Sequence, residues 1–344
     1  MKKSFLFLVI FSLCIFACDK DEPTTTPVTT DYFPAFEQVW NDFDQHYSYF
    51  IHKGINWDSL KTVYEPLAKT THSYRIFMND VLKEMLTELK DLHVNLFDKN
   101  GEYVLLYSRD VDNNYNYDTH FYTSYFLDGV TITTNHAGGI GVIDGSIGYI
   151  GIGSWSTSYQ DDISEIESIF DARRSEFENY KGFIIDVRMN SGGSDVLAKI
   201  IASRFADKTA LYEYTKTRKG PDHDDFYNPV ARHIVPAGSW QFTKPVVVLI
   251  GERCMSSNES FILMMSALDH VTTIGDTTRG SSGNPLLYSL DDGTTYRIPS
   301  WVAYKPDMTV LEDTGIFPDI TIDASESIID GRDMVLEKAI EMLN

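Results

Sequence analysis

The chain has 344 residues, of which 43% are hydrophobic and 13% aromatic, values typical of a globular protein rather than a disordered one. Its length accommodates one large domain and a smaller one, with ample buried core. The 50 acidic side chains outnumber the 29 basic ones, for a formal net charge of −21. Binding to nucleic acid requires a positively charged surface, so this class of function is excluded.

The first residues have the pattern of an export signal. Two lysines precede an apolar run over residues 5–16, which is too short to span a bilayer. Residues 15–18 resemble a bacterial lipobox, in which the cysteine, here Cys18, becomes the lipidated first residue of the mature protein. We therefore predict a lipoprotein signal peptide over residues 1–17. A transmembrane segment and a cleaved soluble signal are the alternatives.

The segment after the predicted lipid anchor is rich in threonine, proline and acidic residues, which predicts a flexible tether over residues 18–30. The acidic residues directly after Cys18 resemble the surface-export signal of some Bacteroidetes lipoproteins. We expect a location in the cell envelope, lipid-anchored in the outer membrane on its periplasmic or surface face. Cys14 leaves with the signal, so Cys254 has no partner, and we predict a buried structural thiol and no intramolecular disulfide.

Residues 31–98 predict a small N-terminal helical subdomain. Their apolar side chains recur at three- and four-residue spacing, as in helices that bury one face against a core. These side chains are Phe36, Val39, Trp40, Phe43, Ile76, Val81, Met85 and Leu89. The pattern then changes to short alternating runs over residues 103–142, which indicate irregular strands and loops.

The remaining chain alternates between apolar strands and amphipathic helices, which predicts an α/β core over residues 99–344. Short β-branched strands that alternate with helices are typical of a largely parallel sheet covered on both faces. The predicted strands are 147–152, 183–187, 246–250 and 271–274, and the predicted helices are 163–180, 196–205, 259–268 and 334–343. A hairpin is predicted from the strands 286–289 and 295–304. A polar insert is predicted between residues 205 and 246.

Ser256 lies where the strand over residues 246–250 gives way to a helix. A serine on such a turn projects its hydroxyl away from the backbone, and the amides at the start of the helix can stabilise a developing negative charge. A second strand ends nearby in the glycine pair Gly192 and Gly193. The alternative is structural, because Ser256 and Glu259 also have the spacing of a capping box at a helix start.

Five blocks of the sequence together resemble the tail-specific (C-terminal processing) and tricorn-core serine peptidase family, in the order in which that family has them. The blocks are residues 89–93, 147–150, 186–193, 256–259 and 312–320. The resemblance implies a ClpP/crotonase-like core, which agrees with the predicted sheet. It also implies a serine peptidase that cleaves peptides or unfolded proteins. The interval over residues 97–146 is too short and polar for the full PDZ domain that many members carry.

The family that the sequence resembles divides according to the base that activates the serine. Processing peptidases use a lysine, but Ser281 occupies the corresponding position here. His93 and Glu312 match the histidine and glutamate of the tricorn-like branch, which implies a Ser256–His93–Glu312 site. Leu92 replaces the serine that this branch has before its histidine. Ser281 or Ser282 is the candidate replacement, while Asp91 either orients the His93 loop or caps it.

The backbone amides of Gly193 and Ser257 are the predicted oxyanion donors, with Gly192 beside them at the substrate-binding edge. We predict no cofactor and no metal, because the residues around His223 do not have the spacing of a zinc motif. Crotonase-like modules also occur in retinoid-binding proteins. The competing interpretation is therefore a catalytically silent lipoprotein that binds an apolar or peptide ligand. The sequence does not specify an oligomeric state.

Overall fold

The structure is a computed structural model that describes residues 30–115 and 125–344, with no account of the side chains of residues 126–129. The predicted signal peptide, Cys18 and nearly all of the predicted tether lie outside the described residues. Within the described ranges, no helix is long and apolar enough to cross a membrane.

Helices dominate the first part of the described chain and then alternate with strands. They are α1 (Phe33–His46), α2 (Phe50–Lys53), α3 (Trp57–Thr70), α4 (Tyr74–Ile76), a π-helical segment (Phe77–Lys83), α5 (Glu84–Thr87), α6 (Gln160–Ala172), α7 (Arg174–Phe177), α8 (Asp195–Ser203), α9 (Ser257–Ser266), α10 (Ala324–Ser327) and α11 (Met334–Leu343), with a 3₁₀ turn at Thr157–Tyr159.

In the described part of the chain, the strands form one large sheet and three smaller ones. In chain order they are β1 (Asn95–Phe97), β2 (Tyr103–Val104), β3 (Phe126–Ile132), β4 (Gly138–Ile143), β5 (Ile147–Ile152), β6 (Gly182–Asp186), β7 (Ala210–Thr217), β8 (Val230–Ile234), β9 (Val246–Ile250), β10 (Val271–Gly275), β11 (Pro285–Ser289), β12 (Thr295–Pro299), β13 (Trp301–Tyr304), β14 (Ile320–Thr321), β15 (Ile328–Ile329) and β16 (Arg332–Asp333).

The large sheet positions the candidate site. Among the described residues it has seven strands in the order β14-β10-β9-β6-β5-β4-β3, parallel from β14 to β5 and antiparallel from β5 to β3. Every residue of β6 and of β9 is buried. Such strands need apolar side chains on both faces, which explains their continuous hydrophobic runs. The predicted α/β class with a mostly parallel, covered sheet is confirmed.

The helical region over residues 31–98 shares a hydrophobic core with strands from much later in the chain. Phe36, Phe43 and Trp57 pack in one cluster with Tyr296 and Ile298. A four-stranded sheet, in the order β11-β12-β1-β2, continues this connection through main-chain hydrogen bonds. The helices are therefore fixed against the part of the core that follows the Ser256 segment.

Three predicted elements differ from the structure. The helix predicted over residues 163–180 breaks at Arg173, which leaves the helical conformation, and α7 follows as a separate turn. The second hairpin strand ends at Pro299, because residues 301–304 pair with β7 instead of β11. The polar insert contains β7 and β8, and the polar residues of the mostly exposed β8 and of the half-buried positions of β7 concealed the strand pattern.

Candidate active site

Ser256 occupies a sharp turn between β9 and α9. Its backbone has φ +59° and ψ −130°, a conformation that side-chain-bearing residues rarely adopt. The residue is partly exposed, whereas the first residues of α9 behind it are buried. Strained residues of this kind persist only where the surrounding structure holds them, and they are concentrated at functional sites. A serine at a strand-to-helix turn with this geometry is typical of a nucleophile elbow.

The glycine pair approaches neighbouring segments more closely than any larger residue could, Gly192 at the Ser256 turn and Gly193 at Trp155. A Cβ atom on Gly192 would lie 2.9 Å from the Cβ of Ser256, and one on Gly193 would lie 2.2 Å from the carbonyl carbon of Trp155. Both glycines have positive φ, +105° and +141°. Only glycine fits at either position without a shift of the backbone.

The amide nitrogens at this turn differ in availability. The amide of Gly192 donates to Asn190 Oδ1 at 2.8 Å, so it is not a free oxyanion donor. The amides of Gly193 and Ser257 have no hydrogen-bond partner among the described residues. Two unengaged amides beside a helix N-terminus form a site suited to a negatively charged oxygen. Gly192 therefore contributes its conformation rather than its N–H.

His93 is buried, with 7% of its surface exposed, and it meets the loop that follows β10. Its Nδ1 lies 2.7 Å from Ser281 Oγ. Its backbone N–H donates to Asp91 Oδ1 at 2.8 Å, and Asp91 Oδ2 accepts from the hydroxyl of Tyr47 at 2.8 Å. Asp91 thus orients the His93 segment. Burial lowers the pKa of His93, partly opposed by the charge of Asp91, so the ring is neutral at neutral pH.

Ser281 connects the histidine to the nucleophile. While its hydroxyl contacts His93, its carbonyl oxygen accepts the N–H of Ser256 at 2.8 Å. The structure therefore brings Ser256, Ser281 and His93 into one continuous set of contacts. The residue found at the position of the processing-peptidase lysine lies at the centre of this set.

Glu312 lies next to this set but does not contact the imidazole. It is 1% exposed, and its Oε2 accepts the N–H of Ser282 at 2.8 Å. No hydrogen bond joins it to His93 in the described part of the chain. Its Oε1 lies 3.3 Å from Lys53 Nζ, and Ser282 Oγ lies 2.8 Å from the hydroxyl of Tyr49. Burial raises the pKa of Glu312, as does the charge of Asp91, while Lys53 lowers it.

Sequence reasoning missed the contributions of the helical region. Tyr47, Tyr49 and Lys53 lie within seven residues of each other at α2, and each contacts a residue of the predicted base side. No local motif marks them, since Asp91 follows Tyr47 by 44 residues and Ser282 follows Tyr49 by 233. For Glu259, the sequence indicates only the capping-box role, and its contacts with the loop after β10 have no local signal.

Two other predictions concern residues outside this set. Cys254 is buried, its Sγ lies 3.3 Å from the carbonyl oxygen of Val187, and burial raises its pKa to about 12, as expected of an inert structural thiol. His223 Nε2 lies 2.9 Å from Asp44 Oδ1, and its ring stacks on Phe50. Within residues 30–115 and 125–344 there is no group of three or more histidine, cysteine or acidic side chains suited to a metal ion.

Two curated proteins match about half of this chain in sequence. The carboxy-terminal-processing protease of Bartonella bacilliformis is 26% identical over 187 residues, which cover 53% of this chain and 40% of that protein. The carboxy-terminal processing protease CtpA of Bacillus subtilis is 26% identical over 179 residues, covering 52% of this chain and 35% of that protein. The matches thus span well under half the length of these curated relatives.

Solved structures extend the comparison to nearly the whole chain. A protein from Parabacteroides merdae, assigned as a peptidase, is 30% identical with a TM-score of 0.75, over 91% of this chain and 96% of that one. The photosystem II D1 C-terminal processing protease shares the fold, with a TM-score of 0.56 and 13% identity over 91% of this chain and 97% of that one.

Family profiles match both parts of the chain. The tricorn protease C1 domain matches residues 30–87, which are largely the helical region. The profile of peptidase family S41 matches residues 146–322, more than half of the chain, and includes β5, the glycine pair, Ser256 and Glu312. The predicted family and fold are confirmed. The chain belongs to peptidase family S41.

Proposed function

We propose that this chain is a serine endopeptidase in which Ser256 is the nucleophile and His93 the general base. The observation that supports this most strongly is the strained turn at Ser256, which Ser281 ties directly to a buried, neutral histidine. A serine hydroxyl is a weak nucleophile until a neighbouring base removes its proton. A serine and a histidine with purely structural roles would not require a strained turn to be connected to a buried, neutral imidazole.

The proposed reaction is acyl transfer. Because His93 Nδ1 is engaged with Ser281, Nε2 is the nitrogen left to take the proton of Ser256 Oγ. The hydroxyl oxygen attacks the substrate carbonyl carbon, and the negatively charged oxygen is stabilised by the amides of Gly193 and Ser257. Collapse of this intermediate breaks the peptide bond, with the proton passing from His93 to the leaving amine. Water then hydrolyses the acyl-enzyme by the same route.

Glu312 supports the base through the loop rather than by direct contact. Its carboxylate holds the amide of Ser282, and the hydroxyl of the preceding residue, Ser281, meets the imidazole. In this arrangement Ser281 provides the polar relay for which Leu92 has no side-chain group. The negative charge of Asp91 near the ring stabilises the imidazolium that forms during the reaction.

A fluorophosphonate probe tests the nucleophile. Wild-type protein should be labelled, Ser256→Ala should not, and the two should have melting temperatures that agree within error. Ser260→Ala is the matched control, because Ser260 is a buried serine one turn further along α9. Labelling of Ser256→Ala at the wild-type rate would assign the chemistry to another residue. Folded wild-type protein that is never labelled would favour the catalytically silent binding lipoprotein.

We further propose that the substrates are peptides or unfolded proteins met at the cell envelope. The names of the two curated relatives, both carboxy-terminal processing proteases, support a polypeptide substrate. The lipobox-like residues before Cys18 support anchoring of the chain by lipid in the outer membrane. Mass spectrometry of a digested peptide pool would define the cleaved bonds. Membrane retention of Cys18→Ala protein at high salt would contradict the lipid anchor, and protease shaving of cells would distinguish surface from periplasmic display.

A further inference from the structure

The buried carboxylate of Glu259 lies between the nucleophile turn and the loop that carries Ser281. One oxygen, Oε2, accepts the N–H of Ser256 at 3.1 Å and the N–H of Ser281 at 3.0 Å. The other, Oε1, accepts the N–H of Gly280 at 2.8 Å and the hydroxyl of Thr278 at 2.5 Å. Glu259 is 0% exposed, so no water shares these contacts from bulk solvent.

These contacts exceed what helix capping needs. A capping box requires the glutamate to accept the N–H of its own helix start, which here is Ser256. The other three donors belong to the loop after β10, about 20 residues further along the chain. Ser281 in that loop contacts His93 Nδ1. A single side chain therefore connects the backbone of the proposed nucleophile to the loop that orients the proposed base.

We propose that Glu259 is a positioning residue that fixes Ser256 relative to Ser281 and His93. The proposal rests on the function proposed above and adds to it a residue that touches neither substrate nor imidazole. Its carboxylate holds the strained turn at Ser256 by two routes. It accepts the Ser256 N–H directly, and it holds the loop whose Ser281 carbonyl accepts the same N–H.

The chemistry of the partners requires a carboxylate rather than an amide. Three of the four are backbone N–H groups, and Thr278 Oγ1 already accepts the N–H of Ile316 at 2.8 Å, so its proton is directed at Glu259. All four are therefore donors. A glutamine at this position would direct its NH₂ group at donors, leaving buried N–H groups unpaired although the shape is conserved.

The chain offers a matched control in Glu213. It is 1% exposed and contacts the same helix, accepting from Ser260 Oγ at 3.2 Å, with Arg232 3.5 Å away. Burial raises the pKa of both Glu213 and Glu259 to about 7. Glu213 contacts neither Ser256 nor the loop after β10, so the two glutamates differ mainly in what they position.

The test measures fluorophosphonate labelling kinetics of full-length protein, far below each variant's melting temperature. Glu259→Gln should lower the maximal labelling rate by about 100-fold, the effect of about 3 kcal/mol of lost hydrogen bonding to a charged group. The probe concentration for half-maximal rate should change little. Glu213→Gln should stay within about 3-fold of wild type. Equal losses in the two variants would overturn the proposal, since they would reflect burial alone.

A second pair of variants keeps the proposal testable if Glu259→Gln does not fold. Thr278→Val removes one donor to Glu259 and should slow labelling about 10-fold, whereas Thr278→Ser keeps the hydroxyl and should restore most of the rate. Equal rates for valine and serine would contradict the positioning role. The Ser256→Ala variant distinguishes a failure of this inference from a failure of the proposed function. If it abolishes labelling while Glu259→Gln and Thr278→Val match wild type, only this inference fails; if Ser256→Ala labels normally, the proposed function itself fails.

Discussion

Lys53 provides the strongest test of how the helical region supports the site. Its side chain is only 7% exposed, and its Nζ lies 3.3 Å from Glu312 Oε1 and 2.9 Å from Asp313 Oδ2. Removing one partner of a buried ion pair leaves the other charge uncompensated, at a cost of about 3–5 kcal/mol. We expect Lys53→Met, which keeps the aliphatic stem, to destabilise the protein mainly through Glu312.

The size of the loss should depend on pH, and the direction of this dependence follows from the ionisation of Glu312. At pH 9 more of Glu312 is ionised than at pH 5, while Lys53 is protonated because the neighbouring carboxylates outweigh burial and raise the pKa of this lysine. The expected loss there is about 3 kcal/mol, at the low end because Glu312 can protonate when its cation is removed. Because burial and the charge of Asp91 raise the pKa of Glu312 well above its ordinary value, protonation of Glu312 removes its share of the loss as the pH falls, and the loss should be smaller at pH 5 than at pH 9.

A residual loss should remain at pH 5 because of Asp313, whose pKa the His52 and Lys53 contacts lower to about 2 although burial opposes this. This carboxylate stays ionised, but its side chain is 43% exposed, so the expected residual is only about 1 kcal/mol.

Urea denaturation at both pH values measures the difference. Lys61→Met is the control, because Lys61 pairs with Glu37 at 3.0 Å at a more exposed position of the same helical region. Its loss should be small and equal at both pH values. The reasoning is refuted if Lys53→Met loses the same free energy at pH 5 and pH 9, or no more than Lys61→Met.

Three further predictions concern the proposed chemistry. The labelling rate should fall in two steps as the pH is lowered, near 7 as Glu259 protonates and then below 6.5 as His93 does; a profile still rising between about pH 9 and 11 would indicate an amine base instead. Ser281→Ala should slow labelling about 10- to 100-fold at an unchanged melting temperature, and a wild-type rate would remove Ser281 from the relay. Gly193→Ala should abolish labelling, because its Cβ would overlap Trp155, and normal labelling by the folded variant would contradict the close approach of Gly193 to Trp155.

The sequence predicted those parts of the fold that depend on local pattern. Strand β9 and helix α11 have the predicted bounds, because continuous apolar runs and a 3.6-residue period reflect burial directly. The turn at Ser256 was also visible, since only residues 251–256 separate β9 from α9. The family blocks located His93 and Glu312 but did not define their contacts. That Glu312 reaches the histidine only through Ser282 and Ser281 depends on how distant loops pack.

Elements with mixed polarity were harder to predict. Strand β7 mixes buried and half-buried positions. It includes the buried side chain of Glu213, whose pKa burial raises to about 7. A charged residue in a strand argues against burial when only sequence is available. Its partners, Ser260 and Arg232, become visible only once α9 and β8 are in place.

The two halves of the site are held by different parts of the molecule. The nucleophile half belongs to the large sheet, because Ser256 follows β9 and is held by Glu259 from α9. On the base half, the helical region supplies a partner for Asp91, Ser282 and Glu312 in turn, using Tyr47, Tyr49 and Lys53. Neither half alone contains a complete proposed triad with its supports. Because local opening of a protein follows its packed units, loosening of the helical region would release the base while leaving the strained serine in place. The helical region, which the tricorn C1 profile matches, is therefore better described as one wall of the site than as an accessory domain.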